Sequence, residues 1–588
     1  MSPTSVKDTD GTLVTNPSKV ATIFNDFFLE KVRKLRIQTN SPPLVDPVLR
    51  LNNWLDKRGS PPPPFSLKEI NKKQLRKLIR RLKGGRSSGV DGIDSYSLKL
   101  AAPLLEDALE HLINISIRTG TFSSFWKHQL IFPHHKKSDK ALPKNYRPVS
   151  HLVEIGKLVE YAVYDQVMDH FQTHNLFHSN HHGGLPNHST ATALIQLQDM
   201  FLKAAGEKKL TAALLLDQSA AYDLLDHIIL LRKLEAYNFD SRSIEWFRSY
   251  LSERTQSVQI EAKRSNEKEL SDHAAPQGSI LGGLLFILYE NDFPACRVEG
   301  ESVMFVDDDT DCVSGEAPDL LQEKIQFESE QSCNWLHDNR MVVAGGKSKL
   351  IVVGTKELRT RKLGDRKLEV MVDGKLVRES PSEKLLGVIL NNQMTWKEHL
   401  HGETWRTPET ENDNGLISQL SQRVGILRKL SAFASKKKLR MLASGLFYSK
   451  VSYCLPLYVN TWHLDMYKDG SSRTTSFTKE DCRKLQVLQN QVSRLQIPNQ
   501  QKHPNMSTQE LLNMNEDLSI HQLGALRTIV MAKKIMASKK PSYLADQLQL
   551  GQSTSTRRES ALDLGVFKLG IQRSKIAEPS SNRNERRS

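Results

Sequence analysis

The sequence predicts an α+β fold. Two short apolar runs, residues 211–216 and 303–306, have the length and content of buried strands, and each leads directly into aspartate. Apolar residues at helical spacing recur near the N-terminus and again from Leu416 onward. Strand patterns in the middle of the chain and helix patterns on both sides of it therefore indicate a mixed architecture.

Residues 1–65 are predicted to be a polar leader around one amphipathic helix, followed by a basic helix and a loop. A four-proline stretch, residues 61–64, predicts a stiff extended linker, and residues 66–83 predict a strongly basic helix with one apolar side. The glycine-rich residues 84–92 predict a loop in which the backbone can approach a ligand closely. The first helix is predicted from apolar residues that recur at helical spacing: Val20, Ile23, Phe24, Phe27, Phe28 and Val32.

The middle of the chain carries the acidic residues that could perform chemistry. Residues 303–306, followed by three aspartates and then by Cys312 and Val313, predict a strand, a tight acidic turn and a returning strand. An isolated acidic turn is usually only solvated. Here a second strand ends in Asp217, and two strands that bring carboxylates to one end of a sheet can hold a two-metal phosphoryl-transfer centre.

Other elements follow in order. Residues 219–236 predict a helix, and Asp223 and Asp226 near its start are interpreted as caps rather than metal ligands. Residues 341–344 and 350–353 predict strands on either side of a glycine-rich loop.

Histidine pairs at 134–135 and 181–182 lack further ligands at the spacing that a metal site requires, so zinc is not expected. The C-terminal predictions are a linker at 402–415, a helix from Leu416, a helix capped by Ser435 and disorder beyond about residue 552.

Composition narrows the class of protein. The 588 residues carry a net charge of +15, so a polyanionic partner is expected, although a basic protein with merely solvated lysines is the alternative. Five cysteines without a two-residue spacing disfavour a disulfide framework and a cysteine-based zinc knuckle. The N-terminus has no apolar signal core, and the longest apolar run, residues 280–289, is too short to span a bilayer. No membrane association is expected.

Three motifs in order resemble those of non-LTR (LINE/jockey-like) retrotransposon reverse transcriptases. Residues 216–223 (Leu-Asp-Gln-Ser-Ala-Ala-Tyr-Asp) resemble the first catalytic motif, and residues 305–308 (Phe-Val-Asp-Asp) resemble the aromatic-X-Asp-Asp motif. Between them, residues 276–282 (Pro-Gln-Gly-Ser-Ile-Leu-Gly) resemble the motif that positions template and nucleotide. The resemblance runs from about residue 15 to about residue 565.

The resemblance implies a right-hand polymerase with fingers, a palm built on an antiparallel sheet, and a helical thumb. It also implies a primer-grip hairpin at residues 383–396 within the palm. The expected domains are a leader with one amphipathic helix (1–65), a basic N-terminal extension (66–130), fingers (131–210), a palm (211–401), a linker with thumb and C-terminal helices (402–550) and a disordered tail (551–588).

The expected activity is RNA-directed DNA polymerisation with two Mg²⁺ ions, for which Mn²⁺ could substitute. The implied metal ligands are Asp217, Asp307 and Asp308, and Lys347 is the implied proton donor to pyrophosphate, with a solvated loop lysine as the alternative. Tyr222 is expected to exclude a ribose 2′-hydroxyl, unless it is only a core aromatic. The other implied nucleotide-binding residues are Lys136, Arg147, Gln277 and Gly278.

The implied partners are an RNA template, a DNA primer or target, and deoxynucleoside triphosphates; the oligomeric state stays open. A ribonucleoprotein in the nucleus or cytoplasm is expected. Basic side chains on two helices are candidates for phosphate contacts, with a merely solvated face as the alternative. These side chains are Lys72, Lys73, Arg76, Arg80, Lys436 and Lys437.

The sequence departs from the family at two places. Many members carry Phe-Arg where this chain has Gly184 and Leu185, and the loss of a core ring there would point to decay. No segment resembles the endonuclease that usually precedes the polymerase, so target nicking is expected to come from elsewhere. Two alternatives therefore stay open: a catalytically decayed nucleic-acid-binding relic and, disfavoured by Tyr222, an RNA-dependent RNA polymerase.

Overall fold

The computed structural model describes residues 3–39, 41–85, 88–136, 138–270, 273–274, 276, 278–402, 415–459, 478–498, 501, 503 and 505–550. Helices and strands are both abundant, which confirms the predicted α+β class. Among the described residues, no helix combines the length and the apolar content that crossing a bilayer requires.

The helices surround two principal sheets. In chain order they are α1 (Pro17–Gln38), α2 (Pro47–Asp56), α3 (Lys72–Arg81), α4 (Ser95–Thr119), α5 (Glu154–Thr173), α6 (Thr190–Gly206), α7 (Ala221–Leu224), α8 (His227–Ala236), α9 (Ser241–Leu251), α10 (Leu281–Glu290), α11 (Pro318–Asp338), α12 (Lys356–Lys362), α13 (Lys397–His401), α14 (Leu416–Leu430), α15 (Lys436–Ala443), α16 (Ser449–Val451), α17 (Leu455–Val459), α18 (Lys479–Gln496), α19 (Thr508–Asn515), α20 (Ile520–Ser538) and α21 (Ser542–Leu550).

The strands form the two principal sheets and three short hairpins. They are β1 (Val6–Lys7), β2 (Leu13–Val14), β3 (His128–His135), β4 (Tyr146–His151), β5 (Leu210–Asp217), β6 (Thr255–Ile260), β7 (Lys263–Arg264), β8 (Lys268–Glu269), β9 (Glu301–Phe305), β10 (Asp308–Gly315), β11 (Lys349–Val353), β12 (Glu369–Val372), β13 (Lys375–Arg378), β14 (Ser382–Leu385) and β15 (Val388–Asn391).

The central sheet has the strand order β11-β5-β10-β9, and all its pairs are antiparallel. Strand β5 is apolar along its length because both of its faces are buried. Leu214 and Leu216 face a core that includes residues of α11, whereas Ala213 faces a core that includes residues of α6. Burial on both faces is why the predicted run shows no polar alternation.

The second sheet has the order β4-β3-β6-β7, with β8 also paired to β6. Strands β3 and β6 are parallel, although β3 and β4 are antiparallel. Helix α1 covers this sheet, since Phe24 packs with Ile131 and Val258 in one core. The predicted amphipathic N-terminal helix is therefore confirmed, and Asn16 caps it by accepting from the amides of Ser18 and Lys19.

The predicted basic helix is shorter than the expected residues 66–83. Asn71 and Gln74 form a capping box, so α3 begins only at Lys72. The residues before it are extended because their amides bond to other elements: Leu67 N donates to Ser243 Oγ, and Ile70 N donates to Asn114 Oδ1. Tertiary hydrogen bonds thus override the helical pattern of this segment.

Two further predictions near the central sheet are wrong in detail. The single helix expected at 219–236 is divided into α7 and α8, because Asp226 leaves the helical conformation and caps α8. The capping role expected of Asp226 is confirmed. Residues 341–344 do not form a strand; only an isolated bridge joins Val343 to Gln218.

The C-terminal helices pack beside the α6 face of the central sheet. The helix predicted from Leu416 is α14, and Ser435 caps α15 by accepting from the amide of Lys438. The hairpin predicted within residues 383–396 is β14–β15, which pairs residues 382–385 with 388–391. Most of the predicted linker, residues 403–414, and the predicted disordered tail lie outside the described residues.

Candidate active site

The β9–β10 hairpin presents Asp307 at its tip. The predicted strand, turn and returning strand are present, but the turn consists of Val306 and the exposed Asp307, because Asp308 and Asp309 already belong to β10. Val306 has a φ of +61°, a conformation that is rare for a β-branched residue and costs on the order of 1–3 kcal/mol. The surrounding structure must therefore hold this turn in place.

Residues 180–183 provide that support. Met304 N donates to Asn180 O at 2.9 Å, and His182 N donates to Met304 O at 2.8 Å, so this segment adds to the free edge of β9. A Cβ on Gly183 would lie 2.3 Å from Val306 N. Only glycine at this position lets the backbone reach the turn.

Asp217 and Asp308 meet across the central sheet. The β5–β10 register places them directly opposite each other at the end of both strands. Asp308 is accessible to solvent, but the protein around it removes part of its hydration. This partial desolvation raises the pKa of its carboxyl to about 6, and the negative charges of Asp307 and Asp217 add to the rise. The three carboxylates expected from the sequence are thus brought together.

The loop that carries Lys347 lies against Asp217. Ala344 N donates to Asp217 O at 2.8 Å, and Lys347 N donates to Ala344 O at 2.8 Å. The Lys347 ammonium consequently lies 3.6 Å from Asp217 Oδ1, with its side chain 70% exposed. An exposed ammonium beside the carboxylates can reach a bound substrate.

Tyr222 packs against the helix that follows the Pro-Gln-Gly motif. Its ring stacks on Phe286 of α10 with centroids 4.6 Å apart. Burial raises the pKa of the Tyr222 hydroxyl to about 12, and the negative charge of Asp307 contributes to the rise. The ring is half-buried near the β9–β10 turn, where it can be both a core contact and a wall of the candidate site.

The second sheet contributes basic side chains. Lys136 follows β3, and Arg147 lies on β4; both are exposed. Partial burial lowers the pKa of the Lys136 ammonium, and the positive charges of Arg147, Lys31 and Lys347 lower it further. Lys136, Arg147 and Lys347 therefore belong to one electropositive region, to which Lys31 of α1 is an addition that the sequence analysis missed.

Gly278 lies against the same sheet. Its φ is +87°, and a Cβ there would lie 2.8 Å from Ser150 O, so the position requires glycine on both counts. Gln277, its predicted partner in nucleotide binding, lies outside the described residues.

The donor set suits hard divalent cations. Asp217, Asp307 and Asp308 offer only oxygen, and Mg²⁺ is usually held by one or two carboxylates together with substrate phosphates. Among the described residues, no group of three or more His, Cys, Asp or Glu side chains is arranged so that it could hold a metal ion. Repulsion among the carboxylates, seen at Asp308, gives a bound cation a clear electrostatic role.

A buried polar cluster of Gln218, Glu290 and Asp309 lies beneath the site and was not predicted from the sequence. Asp309 continues the acidic run, but strand alternation turns it inward, where Gln218 Nε2 donates to its Oδ2 at 2.8 Å. Glu290, at the end of α10, is also fully buried. Burial raises the pKa of its carboxyl far above the ordinary value, and the negative charge of nearby Asp309 adds to the rise. Successive side chains of a strand point to opposite faces. That alternation along β10 was the signal that could have predicted a buried Asp309 next to an exposed Asp308.

The predicted nucleic-acid contacts on α3 and α15 divide into paired and exposed side chains. On α3, Arg76 forms a bidentate pair with Glu106 at 2.5 and 2.8 Å, and Lys72 pairs with Asp107. The remaining α3 candidates, Lys73 and Arg80, are exposed.

On α15, Lys436 donates to the carbonyl of Leu495 at 2.8 Å, whereas Lys437 is exposed. The structure does not bring α3 or α15 into the carboxylate cluster.

The Gly184–Leu185 departure has a packing reason. Gly184 has a φ of +68°, and a Cβ there would lie 2.6 Å from Cδ1 of Ile287. Leu185 is 7% exposed and belongs to the main core. Both residues therefore fit their surroundings: the left-handed backbone favours glycine at 184, where a larger side chain would have to displace Ile287, and position 185 is apolar because it is buried.

Comparison with known proteins agrees with this geometry. Residues 134–390 match the family model for reverse transcriptase (RNA-dependent DNA polymerase). The RNA-directed DNA polymerase from mobile element jockey of Drosophila funebris is 25% identical over 406 residues, which cover 66% of this chain and 41% of that protein. The protein of the same name from Drosophila melanogaster is 24% identical over 346 residues, covering 57% and 36%.

A third relative is the probable RNA-directed DNA polymerase from transposon X-element of Drosophila melanogaster. It is 25% identical over 336 residues, covering 56% of this chain and 36% of the relative. The chain thus spans less than half the length of these curated relatives. It contains a reverse transcriptase domain with the right-hand polymerase fold, similar to the domains of non-LTR mobile elements.

Proposed function

We propose that this chain is an RNA-directed DNA polymerase that extends a DNA primer along an RNA template. The observation that carries the proposal is the β5–β10 register, which sets Asp217 opposite Asp308 beside the exposed Asp307. We assign the fingers to residues 131–210, the palm to 211–401, and a linker with the helical thumb and the C-terminal helices to 402–550.

Reverse transcriptases generally use divalent metal ions, and we assign two Mg²⁺ ions to this site, with Mn²⁺ as a substitute. Asp217 and Asp307 would hold them, and Asp308 would assist. At such a site divalent ions supply activation of the primer 3′-hydroxyl and neutralisation of charge on pyrophosphate.

The protein's own side chains bind and orient the nucleotide. Lys136 and Arg147 attract the triphosphate to the electropositive region, and Arg is suited to bidentate phosphate contact. Lys347, 3.6 Å from Asp217, donates a proton to the departing pyrophosphate, a contribution of typically ~10²–10⁴-fold. Tyr222, held by Phe286, forms the wall that excludes a 2′-hydroxyl.

The partners follow from the activity: an RNA template, a DNA primer or target, and deoxynucleoside triphosphates. The exposed cations Lys73, Arg80 and Lys437 are free to contact phosphates, unlike the paired Lys72 and Arg76. A ribonucleoprotein in the nucleus or cytoplasm is the setting that such partners imply.

The alternative of a decayed nucleic-acid-binding relic loses its main support, because Gly184 and Leu185 fit their surroundings. Tyr222 continues to disfavour an RNA-dependent RNA polymerase.

Primer extension tests the proposal. On a poly-rA template with an oligo-dT primer and Mg²⁺, we expect incorporation of dTTP and little incorporation of UTP. Binding of the primer–template without any extension would favour the relic, and efficient use of UTP would favour an RNA polymerase.

A further inference from the structure

A cleft of about 530 Å³ lies away from the carboxylates, where three distant parts of the chain meet. Its walls come from the end of α2, from the end of α5 with the loop after it, and from the connection between α20 and α21. We call this the basic cleft. The residues that carry its charge and shape are Trp54, Arg58, His178, His188, Lys539 and Lys540.

Positive charge in the basic cleft is not neutralised by its walls. None of the described residues that line it is aspartate or glutamate. Arg58 donates to the carbonyl of Asn175, and Lys540 Nζ donates to Asn175 Oδ1 at 2.6 Å. Both cations thus bond to a neutral residue, which does not cancel their charge. Burial lowers the pKa of the Lys540 ammonium, as expected for a cation without a carboxylate beside it.

The cations of the cleft also lower the pKa values of its two histidines. Burial lowers the pKa of His178 to about 4, and the charge of Arg58 adds to the shift. Burial also lowers the pKa of His188, and the charge of Lys540 adds to that shift. Both rings are consequently neutral at pH 7, and the cleft presents cations and neutral polar groups to an anion.

The size and walls of the basic cleft define the ligand further. A volume of about 530 Å³ is that of a small-molecule site, which a single nucleotide unit can enter and a duplex cannot. The half-buried rings of Trp54 and Phe177 give the walls aromatic surface. Aromatic surface beside cations is the combination that binds single-stranded nucleic acid.

One loop connects the cleft to the β9–β10 turn. Leu185 and His188 line the cleft, and residues 180–183 of the same loop support the turn.

We infer that the basic cleft binds a nucleotide unit of single-stranded RNA outside the polymerase site. The choice of RNA rests on the proposed function, because a chain that copies RNA must hold template that is not yet paired. The cleft would grip such a segment beside the loop that supports Asp307.

The test measures binding of a labelled ten-nucleotide oligo-rA to the full chain by fluorescence anisotropy, without Mg²⁺ or nucleotides. The cleft variant is Lys539→Gln with Lys540→Gln. Its matched control is Lys533→Gln with Lys534→Gln, which removes the same charge from exposed positions of α20. We expect about tenfold weaker binding for the cleft variant and a log–log salt slope reduced by up to about 1.4, at roughly 0.7 per lost phosphate contact. The control should change neither quantity appreciably.

Equal losses in the two variants would overturn the inference, since net charge alone would explain them. Substitution of both cleft lysines by arginine should retain binding, and its failure to do so would also count against a phosphate grip. If adenosine monophosphate displaces the RNA at equal nucleotide concentration, the ligand is a free nucleotide and the RNA assignment is wrong. Because no synthesis is measured, a chain that extends primers but shows no cleft effect would contradict this inference alone.

Discussion

At the scale of single residues, Tyr222 is the side chain through which the site would choose its sugar. We predict that Tyr222→Ala lowers the preference for dTTP over UTP by about 10–200-fold, the range expected when one small steric contact is lost. Tyr222→Phe keeps the ring that stacks on Phe286 and should keep the preference. Single-nucleotide kinetics on poly-rA/oligo-dT measure the ratio; an unchanged ratio in Tyr222→Ala would make the residue a core aromatic only.

Gly184 provides a second test at this scale. Its positive φ and its contact with Ile287 predict that Gly184→Phe lowers the free energy of unfolding by about 2 kcal/mol or more, through backbone strain and overpacking. Gly206→Ala is the control, because open space surrounds that glycine and its φ is ordinary. Urea denaturation compares the two. A more stable Gly184→Phe variant would restore the hypothesis that a ring has been lost from the core.

At the scale of elements, α3 separates paired from exposed cations. We predict that Lys73→Gln with Arg80→Gln weakens binding to an RNA–DNA duplex and lowers its salt slope, whereas Lys72→Gln with Arg76→Gln has a smaller effect. The reason is that Lys72 and Arg76 already pair with Asp107 and Glu106. Filter binding at several salt concentrations provides the measurement. Identical slopes for both variants and the unmodified chain would leave α3 as a solvated face.

The segment 180–183, which supports the β9–β10 turn, should be sensitive to acid. Burial lowers the pKa of His182 to about 3, below the ordinary 6.5, while Gln196 opposes the shift and His188 adds to it. The unfolded chain therefore binds the extra proton first, so this stability is complete above about pH 6.5 and is lost as pH falls toward 3. The loss is on the order of 2 kcal/mol between pH 6.5 and 5 for such a histidine.

The variant His182→Gln should reduce this pH dependence, whereas His111→Gln, at an exposed position, should not. Urea midpoints at pH 7.5 and pH 5 test the difference. Equal pH dependence in both variants would show that His182 does not carry the effect.

Elements also show what sequence could and could not predict. The β9–β10 turn and the end of β5 were predictable, because local apolar runs and the aspartates after them define both. The start of α3 was not, since hydrogen bonds to Ser243 and Asn114 hold the preceding residues extended. The role of Gly184 was equally hidden, because Ile287, about a hundred positions away, decides what fits there.

At the scale of the whole molecule, folding brings distant segments to one place. Asp217, Asp308 and Lys347 come from three separate strands or loops of the central region, and Lys136 and Arg147 come from the second sheet. Motif order predicted the carboxylates, but the approach of Lys31 from α1 and the buried Asp309 became visible only in the assembled fold.

The proposed role of these carboxylates in nucleotide transfer is tested most directly by primer extension with the variant Asp307→Asn. An amide is a poor ligand for Mg²⁺, while binding of nucleic acid depends on basic residues elsewhere. We therefore expect Asp307→Asn to abolish extension on poly-rA/oligo-dT and to leave primer–template affinity nearly intact. Asp319→Asn, the same change at a position 80% exposed on α11, should extend normally. Extension by Asp307→Asn at an undiminished rate would show that Asp307 does not hold a catalytic metal ion.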